Sequence, residues 1–468
     1  MTPESLRSEI LSKVAEYYRL VHAPKQSAAF VPGETKVNYA GRVFDEKEMV
    51  NLVDSSLEFW LTYGHWSRDF EKGLAAYLGV RFALMVNSGS SANLLAFMTL
   101  TSPLLGERRV CRGDEVITVA AGFPTTIAPI IQYGAVPVFV DMDLKTANVD
   151  VTKLEAAVSP RTKAVMLAHT LGNPFDVRTV REFCEKHNLW LIEDNCDALG
   201  SKFAGKFTGT WGDIGTSSFY PPHHMTMGEG GAVYTDNPLL KKIALSMRDW
   251  GRDCWCESGV DNTCGCRFTK QFGKLPLGYD HKYVYSHFGY NLKATDLQAA
   301  IGCAQLEKFP GFVEKRKANF ARLYEGLKDI PQLQLFEKLP ESDPSWFGFL
   351  MTVRRTTDFT DFTDCGRVAG SDNPCNPCNP WLKTRNGLAQ YLEEKKIQTR
   401  NLFAGNILKH PCFESLKEGM DYRVAGDLTV TDTIMNDSLW IGLYPGMGEA
   451  KLDYMIKTIR GYFESRYA

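Results

Sequence analysis

From Val80 to Thr235 short apolar runs alternate with helix-patterned segments, and this alternation constrains the fold more than any other feature of the chain. ALMVN precedes SSANLLAFMTL, EVITVAA precedes TTIAPIIQYG, and KAVMLAH precedes VRTVREFCEKH; VPVFVD, LWLIED, GTSSFY and GGAVYTD are further runs of strand length. Strands of this kind are buried on both faces, and the helices between them are the crossovers that parallel strands require. The expected fold class is α/β, with a mainly parallel sheet covered on both sides. Ligands gather at the carboxyl ends of such strands. Four chemically loaded positions fall there: Ser88-Gly89-Ser90, Gly122-Phe123, Asp194 and His223.

Organisation follows from the same patterning. An N-terminal arm over 1–45 precedes a large domain over 46–305, and after the charged helix pattern VEKRKANFARLYEGLKDI a region of weaker alternation reads as a smaller C-terminal α/β domain over 306–468. The stretch 356–380, rich in Pro, Asn and polar residues, reads as a surface loop inserted in the small domain.

SGSSA opens a helix directly after a strand, so Gly89 allows close backbone approach while Ser90 and the free first-turn amides face an anion such as phosphate; a plain capped helix is the alternative. Asp194 ends a strand, where a buried carboxylate needs a cationic partner. That partner is either the protonated pyridine nitrogen of a pyridoxal-type cofactor or a structural ion pair.

AAYLGVRFALMVNSGSSANLLA, GDEVITVAAGFPTT, PVFVDMD, LAHTLGNPFD, LIEDNCDALG, SSFYPPHHMTMGEGGAVYTD and GYNLKATDLQAAIG occur in one order. In that order they resemble the sugar aminotransferases that act on nucleotide-linked ketosugars, proteins of the aspartate-aminotransferase fold. The resemblance runs from about Phe44 to LYPGMGEAKLDYMIKTI. It implies that Phe123 stacks on the pyridine ring, that Gly89, Ser90 and Ser218 hold the cofactor phosphate, and that Asn291 reaches the phosphate of a neighbouring subunit in a homodimer.

One departure redirects the chemistry. The family carries a lysine five residues after the serine of its SF motif, where it forms a Schiff base with the aldehyde cofactor; here Ser218-Phe219-Tyr220-Pro221-Pro222 leads to His223. An imidazole has no primary amine for that bond, yet it moves protons near neutral pH. His224 is the alternative if the register slips by one.

Twelve cysteines in a chain whose N-terminal segment has no signal-peptide pattern indicate free thiols or metal ligation rather than a disulfide framework. Cys196, Cys254, Cys256 and Cys264 are four thiolates that suit a [2Fe–2S] cluster or zinc, and spacing alone does not separate the two. The spacing, with the cluster-binding loop at 252–266, is similar to that of the CDP-4-keto-6-deoxyglucose 3-dehydratases. The likeness therefore implies a pyridoxamine 5'-phosphate (PMP/PLP) enzyme with a [2Fe–2S] cluster that removes the C-3 hydroxyl of a nucleotide-diphosphate 4-keto-6-deoxysugar. It also implies an NADH-dependent flavin and iron–sulfur reductase as partner. Cys266 competes with Cys264 as fourth ligand, and Cys365, Cys375 and Cys378 form a separate candidate group in the inserted loop. Arg400 matches a substrate-contacting segment and suits the diphosphate; Tyr220 and Asp197 are placed near substrate or cofactor.

Lys and Arg total 53 against 55 Asp and Glu, so there is no broad positive field for nucleic acid or an anionic membrane. No membrane-length apolar run occurs, and the cytoplasm is the expected location.

Overall fold

The computed structural model describes residues 1–256, 259–354 and 384–467. The inserted loop expected over 356–380, with Cys365, Cys375 and Cys378, lies outside the described residues, as do positions 257 and 258 of the cysteine loop. The main strands are β1 (Phe82–Val86), β2 (Glu115–Val119), β3 (Val136–Val140), β4 (Thr162–Ala168), β5 (Trp190–Asp194), β6 (Ile214–Ser218) and β7 (Gly231–Thr235). The C-terminal part contributes β8 (Leu333–Leu335), β9 (Gly348–Val353), β10 (Thr399–Arg400), β11 (Arg423–Val424) and β12 (Ser438–Gly442). The helices are α1 (Pro3–Val21), α2 (Glu46–Glu58), α3 (His65–Leu78), α4 (Gly89–Thr99), α5 (Pro124–Tyr133), α6 (Val177–Lys186), α7 (Pro238–Arg248), α8 (Asp296–Leu327), α9 (Arg385–Glu394), α10 (Thr429–Asp437) and α11 (Glu449–Tyr467).

The central eight-stranded sheet runs in the order β1, β7, β6, β5, β4, β2, β3, β11. Only β7 is antiparallel to its neighbours; the remaining pairings are parallel. Period-two alternation sends Leu84 and Val86 of β1 to one face, against Phe97 of α4 and Met247 of α7. Ala83 and Met85 go to the other face, against Phe70 of α3 and Phe309 of α8. Strands β2, β3, β5, β6 and β7 are buried along their whole length, as two covered faces demand, and each large apolar side chain buried this way contributes about 1.5–3 kcal/mol.

The second sheet, β8, β9, β12, β10, is antiparallel throughout. Helix α8 opens on a capping box between Thr295 and Gln298 and packs on α2 and α3 as well as on α11. Residue 305, where the pattern of the sequence changes, falls inside this continuous helix. The C-terminal part also returns to the main sheet: β11 pairs with β3, and Arg423 reaches the buried Glu115 at 2.8 Å. The N-terminal arm is tied at both ends, by packing of α1 on α2 and by hydrogen bonds between Val37 and the Lys396 and Gln398 backbone.

Candidate active site

The carboxyl ends of β5 and β6 and the helices after β1 and β2 converge on Asp194. The carboxylate is only 4% exposed. Its Oδ2 accepts from Asn93 Nδ2 of α4 and from Thr126 Oγ1 of α5, each at 2.7 Å, and its Oδ1 accepts from the Cys196 amide at 3.1 Å. Thr216 of β6 donates to Asn93 Oδ1 at 2.7 Å and so fixes the amide that holds Asp194. Among the described residues no cation pairs with this carboxylate. A buried anion held by neutral donors alone is a poor structural ion pair and a suitable seat for a ligand cation. The expectation that Asp194 meets a protonated pyridine nitrogen is chemically consistent with this donor set.

The anion end is built by close approach. Ser88 caps α4, accepting from the Ser91 amide at 3.1 Å, and no acidic side chain occupies the first turn. A Cβ at Gly89 would lie 2.2 Å from Ser218 Cβ, and one at Gly231 would lie 2.3 Å from the Ser88 carbonyl oxygen. Both glycines are therefore required for the helix start to sit against the end of β6 and the start of β7. Ser90 is exposed and Ser218 buried beneath it, which leaves first-turn amides open to an anion. Phe123 precedes Pro124 at the start of α5; it is 48% exposed and meets Phe403 edge-on at 5.9 Å, leaving its ring face uncovered. These features fit a pyridoxal-type phosphate and ring.

His223 ends the turn after β6, its amide bonded to the Tyr220 carbonyl at 3.0 Å. Its Nδ1 lies 2.7 Å from the Cys196 carbonyl oxygen and its ring packs on Tyr220 and Phe347 at 4.6 and 5.2 Å. Burial lowers its pKa to about 4. Asp197 Oδ1 stands 3.6 Å from the same Nδ1, and burial next to Asp194 raises the Asp197 carboxyl to about 8. Burial first also raises the half-buried Tyr220 phenol. His224 turns away: its Nε2 is 2.6 Å from the Ser345 carbonyl oxygen and it is buried.

Arg400 is exposed, stacks over Tyr39 at 4.0 Å and has no carboxylate partner among the described residues. Tyr39 and Arg400 both act on the Tyr220 phenol, so the arm, the small sheet and the β6 turn share one mouth. Asn291 is exposed and its backbone pairs with Asp249, on the surface rather than at Ser218.

The cysteines divide. Cys254, Cys256 and Cys264 act on one another within the loop, where Thr263 donates to Cys256 Sγ at 3.0 Å. His281 Nδ1 stands 3.6 Å from Cys264 Sγ and 3.9 Å from Cys266 Sγ. Cys196 belongs to the Asp194 pocket instead; its thiol is held well above the usual range by burial and then by Asp194. Among the described residues the potential metal-ligating atoms that lie together are those of Cys264, Cys266 and His281, while Cys196 sits apart from them.

Asn93, Thr126, Thr216, Tyr39 and Arg316 are absent from the residues expected on sequence grounds. Arg316 of α8 is fully buried and donates to the carbonyl oxygens of His223, Trp346 and Leu443 at 3.4, 3.1 and 2.6 Å, tying the β6 turn to the start of β9 and the end of β12. A buried arginine in an amphipathic helix, and an asparagine within the apolar SSANLLAFMTL, were the available signals.

The chain is 51% identical to lipopolysaccharide biosynthesis protein RfbH of Salmonella typhimurium over 99% of both proteins. It is 48% identical to the dTDP-4-dehydro-2,6-dideoxy-D-glucose 3-dehydratase of Saccharopolyspora spinosa, covering 98% of this chain and 92% of that one. Among solved structures, E. coli GDP-4-keto-6-deoxy-D-mannose-3-dehydratase with bound hydrated PLP matches with a TM-score of 0.75 at 27% identity, over 91% of this chain and 100% of that one. The aspartate-aminotransferase fold is thereby established, and none of these three proteins is named for a CDP-linked sugar. The family of DegT/DnrJ/EryC1/StrS aminotransferases matches residues 43–365 and 377–460, and the chain belongs to that family.

Proposed function

We propose that the protein is a PMP-dependent C-3 dehydratase of a nucleotide-linked 4-keto-6-deoxyhexose, with CDP-4-keto-6-deoxyglucose first among the substrates. The reading includes a [2Fe–2S] cluster on Cys196, Cys254, Cys256 and Cys264, a homodimer, and an NADH-dependent flavin and iron–sulfur reductase as partner in 3,6-dideoxysugar synthesis. The observation that carries the dehydratase reading is His223. A neutral imidazole, with no primary amine, stands next to the Asp194 pocket, at the position that the sequence resemblance assigns to the lysine of the family's aminotransferases. Two relatives named as 3-dehydratases, one solved with PLP, support the same reaction class.

When bound, PMP supplies an amine for the sugar ketone and a ring that accepts electrons. Asp194 would keep the pyridine nitrogen protonated, with Asn93 and Thr126 fixing the carboxylate. Gly89, Ser90 and Ser218 would hold the phosphate and Phe123 would cover the ring. His223 donates Nδ1–H to the Cys196 carbonyl, so the lone pair rests on Nε2, which has no partner among the described residues. Nε2 can take a proton at the reacting carbon and return it to the departing C-3 hydroxyl. Arg400, stacked on Tyr39 at the mouth, would bind the diphosphate, with Tyr220 against the sugar. Asn291 would reach the neighbouring subunit's phosphate.

Purified protein given PMP and CDP-, dTDP- and GDP-linked 4-keto-6-deoxysugars tests the reading. Release of the C-3 hydroxyl is expected, fastest with the CDP sugar. Formation of a 4-amino sugar with no change at C-3 contradicts it.

A further inference from the structure

The proposed cluster needs four sulfurs on one pair of irons, and a single chain does not bring them together. Cys254 and Cys256 line a cavity of about 310 Å³ with Arg81, Phe82 and Leu84 at the start of β1 and with Arg248 at the end of α7. Strand β1 is the outermost strand on its side of the sheet, and β7 and β6 stand between it and β5. Three strand spacings are about 14 Å. The offset also runs along the strands: β1 and β5 point the same way, so Cys196, just past the carboxyl end of β5, lies at the opposite edge from Phe82.

The segment that carries the loop also exposes several large apolar side chains. Phe288 is 100% exposed and Leu277 77%. Tyr283, Tyr285 and Trp250 are exposed as well. Large apolar side chains grouped in this way mark a contact surface. In a two-fold dimer an arm reaching from each subunit to the other makes two equivalent sites, so a second copy can supply the missing thiol without disturbing the Asp194 pocket.

We propose that the thiolate site is completed between two copies of the chain: Cys254, Cys256 and Cys264 of one with the partner subunit's Cys196. The proposal rests on the reading of these four cysteines as cluster ligands. It makes dimerisation a condition for holding iron and sets the electron-entry group of one subunit beside the Asp194 pocket of the other.

Complementation tests it. Chains carrying Cys196→Ser and Cys256→Ser, each with its own affinity tag, are co-expressed anaerobically, and the mixed dimer is isolated through both tags. Iron, acid-labile sulfide and the visible spectrum are read, with PMP binding as the check on folding. Each single-variant homodimer is expected to hold no cluster. The mixed dimer combines both lesions in one site and leaves the other intact, so it is expected to hold half the iron of the wild-type dimer. A mixed dimer without iron, beside a loaded wild type, overturns the proposal in favour of four ligands from one chain. Iron retained by the Cys196→Ser homodimer overturns it in favour of a loop-only site completed by Cys266 or His281. A wild type without iron removes the cluster reading itself, which is a different failure.

Discussion

His223 Nδ1 lies 2.7 Å from the carbonyl oxygen of Cys196. A carbonyl oxygen only accepts, so the ring proton is fixed on Nδ1 and the basic lone pair on Nε2. Burial holds the ring neutral down to about pH 4. Exchange of the methylene proton of bound PMP with solvent should therefore stay level from pH 7 to about pH 5 and fall as His223 takes a proton near its lowered pKa. A midpoint close to the ordinary histidine value of 6.5 would contradict this placement. His223→Asn should bind PMP and lose exchange by about 100- to 10,000-fold.

Asp197 gives a stability prediction of opposite sign. Its carboxyl titrates at about 8 in the fold against 3.8 ordinarily. Between those values the folded chain keeps a proton that the unfolded chain releases, so this group makes stability fall as pH rises across that window. In Asp197→Asn the fall between pH 5 and pH 8 should be smaller, as read by urea unfolding of the cofactor-free protein. An unchanged slope would mean that Asp197 is ionised in the fold.

Ser218 and Gly89 pack in direct contact at the proposed phosphate site. Gly89→Ala would set a methyl 2.2 Å from Ser218 Cβ, and overpacking of this kind costs about 1–3 kcal/mol. Lower stability and weaker PMP binding are expected together. Ser90→Ala, at an exposed position, should weaken PMP binding without the stability loss. Calorimetry on both variants separates the two effects.

The alternating runs made the layered sheet legible, because strands covered on both faces are buried along their whole length and mostly apolar, as β3 is. Gly89 and Asp194 were legible because close approach and a buried charge each restrict the residue type. The partners of Asp194 were not: Asn93 and Thr126 are ordinary polar residues on helices that meet only through the sheet topology. Tyr39 escaped for a similar reason, since the arm reaches Arg400 only after its Val37 backbone pairs with Lys396 and Gln398. The separation of Cys196 from Cys254 was equally hidden, because spacing in sequence carries no strand order.

Arg400 should matter for substrate and not for the proton step. Arg400→Ala is expected to raise KM for the nucleotide sugar by about 10- to 100-fold, the worth of a charge-assisted hydrogen bond of about 1.5–3 kcal/mol. Methylene exchange of bound PMP without sugar should be unaffected. Loss of that exchange would place Arg400 in the cofactor site.

The central claim is that this site breaks the C-3 oxygen bond rather than transferring an amine. Enzyme, PMP and the CDP-linked 4-keto-6-deoxyhexose are incubated in oxygen-18 water without a reductase, and the recovered sugar is analysed by mass spectrometry. The account predicts label at C-3, lost in His223→Asn, with no 4-amino sugar. Unlabelled C-3 oxygen together with accumulation of a 4-amino sugar would contradict it.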